Sequence, residues 1–83
     1  MTQDEIKDRA RAALARVLKV APETITDTTS QTDLSDWDSV RHMNVVLALE
    51  NDFDIQFDDD ELPKLTSLPQ LVSAVQRHVN GAL

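Results

Sequence analysis

The 83-residue sequence contains no cysteine, so a disulfide framework, a thiolate nucleophile and a cysteine-based zinc site are all excluded. It has a single glycine, Gly81, near the very end. Hairpin-rich sheets, phosphate-cradling loops and dinucleotide fingerprints draw on glycine for positive φ or close backbone approach, so a single terminal glycine nearly excludes all three. Aromatic residues are limited to Trp37, Phe53 and Phe57. A core of Leu, Val, Ile and Ala suits packed helices better than a sandwich of strands. No apolar run approaches the roughly 18 residues of a membrane span, and no basic segment followed by an apolar one opens the chain. The expectation is a single domain over residues 1–83, without a signal peptide or membrane insertion, residing in the cytoplasm.

Positive charge is also scarce. Fifteen acidic and eight basic side chains leave a net charge of −7. Such a surface repels phosphate backbones and anionic membranes, so nucleic acid is an unfavourable partner and a basic protein face a favourable one. The acids are unevenly placed: 12 of the 15 fall between Glu23 and Glu61. The first 20 residues and the last 21 each carry a small positive excess. The middle of the chain therefore reads as an acidic face, either a solvated surface or one that steers partners.

Hydrophobic spacing gives helices. Ile6, Ala10, Ala13, Leu14, Val17 and Leu18 recur on one face of a 3.6-residue period. Asp4 and Glu5 complement the positive start of this first helix, Arg16 and Lys19 its negative end, and Pro22 stops it around Val20. Residues 21–38 form a long loop in which Ile25, Leu34 and Trp37 are spaced as anchors, favouring an ordered loop lying across the helices. A second helix starts at Asp38 or Ser39, with Asp36 or Asp38 as N-cap. It carries Val40, Met43, Val46, Leu47 and Leu49, and with Val45 and Ala48 its second half is apolar almost all round, which predicts burial on more than one side. Phe53, Ile55 and Phe57 alternate as in a short extended connection. Asp58-Asp59-Asp60-Glu61 open a short helical turn containing Leu62 and Leu65. The last helix begins at Ser67, where Ser67 and Gln70 have capping-box spacing and Pro69 lies in the first turn. Its stripe is Leu68, Leu71, Val72, Val75 and Val79, and Asn80-Gly81 end it. The fold class is all-α: a small antiparallel bundle of three main helices plus one short helix, with a long ordered loop after the first.

Conventional catalysis is poorly supplied. Ser39 and His42 are neighbours on one helix, but a serine hydrolase also needs an orienting group and an oxyanion hole. His78 reads as a helix-end histidine. Asp52, Asp54, Gln56 and Asp58 have the spacing that opens a calcium loop, but Phe57 stands where its glycine belongs and Pro63 where its bidentate glutamate belongs. No metal site and no catalytic residue is expected. The conspicuous segment is Asp33-Leu34-Ser35-Asp36-Trp37-Asp38-Ser39-Val40, which sets a serine at the start of an apolar helix behind an acidic loop. Ser39 is read either as a simple cap or as a modification site, since a phosphoester there would lie at the positive end of the helix dipole beside unpaired amides.

At these residues the chain resembles the acyl carrier protein family. Asp38-Ser39-Val40 is similar to that family's Asp-Ser-Leu motif, with valine for leucine. The likeness continues through Leu47-Ala48-Leu49-Glu50, Phe53 to Phe57, the acidic turn Asp58–Glu61, Lys64 and the final amphipathic helix. The resemblance implies a carrier rather than an enzyme, with 4′-phosphopantetheine transferred from coenzyme A to Ser39 by a separate phosphopantetheinyl transferase and acyl groups held as thioesters on the arm. Asp38, with Asp36, would present Ser39 to the transferase. Helix two and the acidic turn, through Asp36, Val40, Arg41, Met43, Glu50, Asp58, Asp59 and Asp60, would dock basic patches on acyl-loading and acyl-transfer enzymes, the carrier acting as a monomer. An apolar acyl chain would slip between the helices near Met43, Val46, Ile55, Leu62 and Leu65. The resemblance places the chain in lipid metabolism, with fatty-acid synthesis as one setting. Arg41, His42 and Asn44 replace the acids usual after the serine in fatty-acid carriers, and Trp37 stands where small residues are common. These departures resemble stand-alone carriers of specialised pathways. Two further readings stay open: a peptidyl or aminoacyl carrier, and an unmodified helical adaptor that binds a basic partner.

Overall fold

Thr2 opens the first helix with a reciprocal cap. Its hydroxyl accepts from the Glu5 amide at 3.2 Å and the Glu5 carboxylate accepts from the Thr2 amide at 3.4 Å, so donors that no helical carbonyl can reach are satisfied. In the computed structural model, which describes residues 2–81, three helices follow in order: α1 (Gln3–Leu18), α2 (Ser39–Phe53) and α3 (Leu68–Gly81). The all-α bundle expected from the periodicity is what forms. A 3₁₀ turn at Pro22–Thr24 follows α1, and a second at Leu62–Lys64 precedes α3. This second turn is shorter than the fourth helix expected there.

Ile6, Ala10, Ala13, Leu14 and Leu18 of α1 are buried as the stripe requires, joined by Ala15. They meet Val45, Val46, Leu49 and Phe53 of α2 and Leu68, Leu71, Val72, Ala74 and Val75 of α3 in one apolar core. The loop anchors also hold: Ile25 and Trp37 are buried, and Leu34 packs partly buried against the same core. Thr29 is the buried polar residue of the loop; its hydroxyl accepts from the Thr26 amide at 2.7 Å. The loop is stitched to the start of α3 by an antiparallel pair, Gln31 N–H to Thr66 O at 2.7 Å and Leu68 N–H to Thr29 O at 2.9 Å. A long loop is affordable here because its backbone groups find partners.

Three local expectations are corrected. Helix α1 ends at Leu18 rather than Val20, because Lys19 turns left-handed at φ 59° and its amide bonds back to Ala15. Phe53 belongs to the last turn of α2 rather than to an extended connection; Asp54, left-handed at φ 54°, ends that helix. Helix α2 is not buried on all sides: Val40 is 75%, Met43 46% and Leu47 53% exposed. Helix α2 packs mainly against α1 and only lightly against α3, so among the described residues no layer covers its remaining face. Among the described residues no helix is long and apolar enough to cross a membrane.

Candidate functional site

The site is built where the long loop enters α2. Asp38 is the N-cap: its backbone is extended and its carboxylate accepts from the Arg41 amide at 2.8 Å. Asp36, the other candidate, does not cap; its carbonyl accepts from the Arg41 guanidinium at 3.2 Å. Arg41 also reaches the Asp38 carboxylate at 3.5 Å. Because Asp38 caps, Ser39 does not. Ser39 is the first residue of the helix, exposed, and among the described residues its hydroxyl has no hydrogen-bond partner. The first-turn amides of Ser39 and Val40 have no helical carbonyl to bond. A free hydroxyl, two free amides and the positive end of the helix dipole together suit a phosphoester.

The expected neighbours divide into two groups. Trp37 is 2% exposed and serves as a core anchor rather than a partner contact. Its indole N–H donates to His42 Nδ1 at 3.0 Å, and the rings lie 6.0 Å apart at 30°. His42 Nε2 bonds the Leu62 carbonyl at 3.0 Å. Both ring nitrogens are therefore committed, and neither is directed at Ser39. Val40, Met43 and Arg41 are exposed along α2, and Asp58, Asp59 and Asp60 are exposed on the acidic turn. Glu50 is different: it is half-buried and accepts from the Phe57 amide at 2.9 Å, which ties the segment after α2 back to the helix. Of the residues assigned to an acyl path, Val46 and Leu65 are buried in the core, Ile55 and Leu62 are half-buried, and Met43 is exposed.

Two contacts went unforeseen. The Trp37–His42 pair straddles Ser39, and its only trace in the sequence is an aromatic and a histidine five residues apart across a cap. Glu61 gathers the acidic turn onto α3: it accepts from the Asp58 amide at 2.8 Å, meets His78 Nε2 at 2.7 Å and lies 3.4 Å from Arg77. His78 is held further by Phe57, edge-on at 5.3 Å. Partial burial pushes the Glu61 carboxyl up, but the Asp58 amide, His78 and Arg77 outweigh it and hold the group below its ordinary value. Among the described residues no cluster of His, Asp and Glu is disposed to hold a metal ion.

A family model described as "Phosphopantetheine attachment site" matches residues 8–75, a range that contains Asp38, Ser39, the whole of α2 and the acidic turn. The chain belongs to the phosphopantetheine-attachment family. This phosphopantetheine carrier is 28% identical over 80 residues to the acyl carrier protein of Petrotoga mobilis, covering 96% of this chain and 94% of that one. Its fold matches the solution NMR structure of holo acyl carrier protein from Geobacter metallireducens with a TM-score of 0.80 and 29% identity, over 92% of this chain and 87% of that one. The resemblance to acyl carrier proteins read from Asp38-Ser39-Val40 is thus borne out across nearly the whole chain, as is the helical fold it implied. The carrier is not itself an enzyme but the substrate of a phosphopantetheinyl transferase, and its cofactor is covalently attached 4′-phosphopantetheine.

Proposed function

We propose that Ser39 is the attachment residue and that the chain carries acyl groups on the attached arm between enzymes of a specialised pathway. The observation that carries this reading is the division of labour at the start of α2: Asp38 fills the capping role, leaving the exposed Ser39 hydroxyl without a structural task. In the transfer, Ser39 Oγ forms a bond to the phosphorus bearing the pantetheine arm of coenzyme A. The bond from that phosphorus to the nucleotide phosphate breaks, and the serine proton leaves to a base on the transferase. The arm supplies what this chain lacks altogether, a thiol on which an acyl group is held as a thioester. Asp38 fixes the turn that presents the hydroxyl, and Arg41, 3.5 Å from the Asp38 carboxylate, offsets its negative charge beside the incoming phosphate.

Partner docking is assigned to Val40, Met43 and Arg41 along α2, with Asp36 and the turn Asp58–Asp60 supplying charge toward basic patches on acyl-loading and acyl-transfer enzymes. Glu50 contributes charge from a fixed position. Between Asp38 and Glu50 helix α2 carries no acid at all, which favours a dedicated set of partners over the general enzymes of fatty-acid synthesis. The carrier works as a cytoplasmic monomer in this reading. Incubating the apo protein with coenzyme A and a broad-specificity transferase is expected to add a single phosphopantetheine mass, and Ser39→Ala is expected to stay folded and gain none. Modification of the Ser39→Ala variant, or none of the wild type with several transferases, would overturn the assignment.

A further inference from the structure

The indole N–H of Trp37 can only donate and the carbonyl of Leu62 can only accept. With His42 between them, the roles of its two nitrogens are fixed: Nδ1 is bare and accepts from Trp37, while Nε2 carries the proton and donates to Leu62. Three segments meet in this one ring. Trp37 is the last anchor of the 21–38 loop, with its amide bonded to the Leu34 carbonyl at 3.0 Å. His42 lies in the first turn of α2, its amide bonded to the Asp38 carbonyl at 2.8 Å. Leu62 opens the 3₁₀ turn after the acidic segment. Ser39 sits within the short span bracketed by Trp37 and His42, and among the described residues no other side-chain bond between the loop and α2 crosses it apart from those of Asp36, Asp38 and Arg41.

Apolar burial alone places the Trp37 ring in the core but does not fix its rotation, because hydrophobic attraction is non-directional. The bond to Nδ1 supplies the direction. We infer that His42 is a positioning residue for the modification of Ser39: through Trp37 it holds the end of the loop, and through Leu62 the turn at 62–64, so that the serine is offered to the transferase in one arrangement. The inference rests on the Ser39 reading given above. A carrier lacking the bridge spends part of its time in other arrangements of the turn, and the apparent affinity of the transferase falls by the fraction of competent molecules. Once bound, the competent arrangement reacts as before.

Trp37→Phe removes the N–H donor and keeps an aromatic ring in the core; His42→Phe removes both bonds at once. With the full-length apo protein, coenzyme A and a broad-specificity transferase, each variant is expected to show a KM for the carrier raised about fivefold or more, with kcat held. The double variant is expected to be no worse than His42→Phe, since both substitutions act through one bridge. An ¹⁵N-detected NMR spectrum of the wild-type imidazoles, with His78→Gln to separate the two histidines, is expected to show His42 protonated at Nε2 alone, and in Trp37→Phe a mixture of both tautomers. A His42 protonated at Nδ1, or unchanged KM in Trp37→Phe, overturns the positioning role. If His42→Phe does not fold, the Trp37→Phe kinetics and the wild-type tautomer still decide the matter. Failure of the wild-type chain to accept any phosphopantetheine sinks the Ser39 reading, and the positioning role with it. Normal modification with no change in the variants sinks the positioning role only.

Discussion

At the scale of single residues, the chain assigns one task to each polar group near its site. Asp38 caps, Ser39 is left free, His42 is spent on Trp37 and Leu62, and Glu61 collects the acidic turn against α3. Glu61 has a measurable consequence. Its carboxyl is held below the ordinary value of 4.5 in the folded chain and returns to it on unfolding. The folded state therefore binds the proton less readily than the unfolded one. The stabilisation is present in full above 4.5 and is lost as the pH falls through the folded value. Urea midpoints of the wild type and Glu61→Gln, compared from about pH 7 down to about pH 3, should differ at the upper end and converge at the lower. A constant difference over that range would show that the carboxylate's charge is not what binds the acidic turn.

At the scale of elements, periodicity and packing part company at α2. Leu14 of α1 and Leu47 of α2 both sit in stripes of the same spacing, yet Leu14 is fully buried and Leu47 is 53% exposed. Leu14→Ala is expected to cost about 2–5 kcal/mol, the lost transfer energy plus the cavity left behind. Leu47→Ala should stay within about 0.5 kcal/mol. Chemical denaturation of the two variants checks the pair, and a large loss from Leu47→Ala would mean that a second layer covers α2 in solution. This contrast also marks what the sequence could tell. The α1 and α3 stripes, the loop anchors Ile25 and Trp37, and the serine at a helix start were legible, because each follows from spacing or from a side chain's fixed chemistry. Which apolar residues of α2 find a partner layer was not, since that depends on how many helices surround it. The ends of α1 and α2 were also hidden: both turn through left-handed non-glycine residues, Lys19 and Asp54, where the usual glycine signal is missing. The bridge through His42 was hidden for a similar reason, because its second partner is a backbone carbonyl twenty residues away.

At the scale of the whole molecule, the net charge of −7 is not spread as its sum implies. The basic residues of α1 are largely consumed internally: Lys7 and Arg11 pair with Asp27, Arg16 with Asp52, and Arg9 stacks over Phe53 at 4.6 Å. The carboxylates of Asp36, Asp54, Asp58, Asp59 and Asp60 pair with no cation among the described residues, and these residues are exposed. The His42–Leu62 bond draws the 3₁₀ turn that follows the acidic segment toward the first turn of α2, and so brings that segment toward the end that carries Ser39. In the function proposed above, a partner that approaches Ser39 with a basic face meets uncompensated carboxylates while still a Debye length away, about 8–10 Å at moderate salt. Attraction at that range speeds encounter and leaves the contact itself weak, as a carrier visiting several enzymes requires. Raising sodium chloride from about 0.05 M to about 0.5 M should then lower kcat/KM for modification of the apo chain several-fold, through KM and with kcat retained. Replacing Asp58, Asp59 and Asp60 together by Asn should lower the rate at low salt and flatten the salt dependence. If the triple variant keeps the full dependence of the wild type, the steering charge lies elsewhere on the surface, and the acidic turn serves the fold through Glu61 alone.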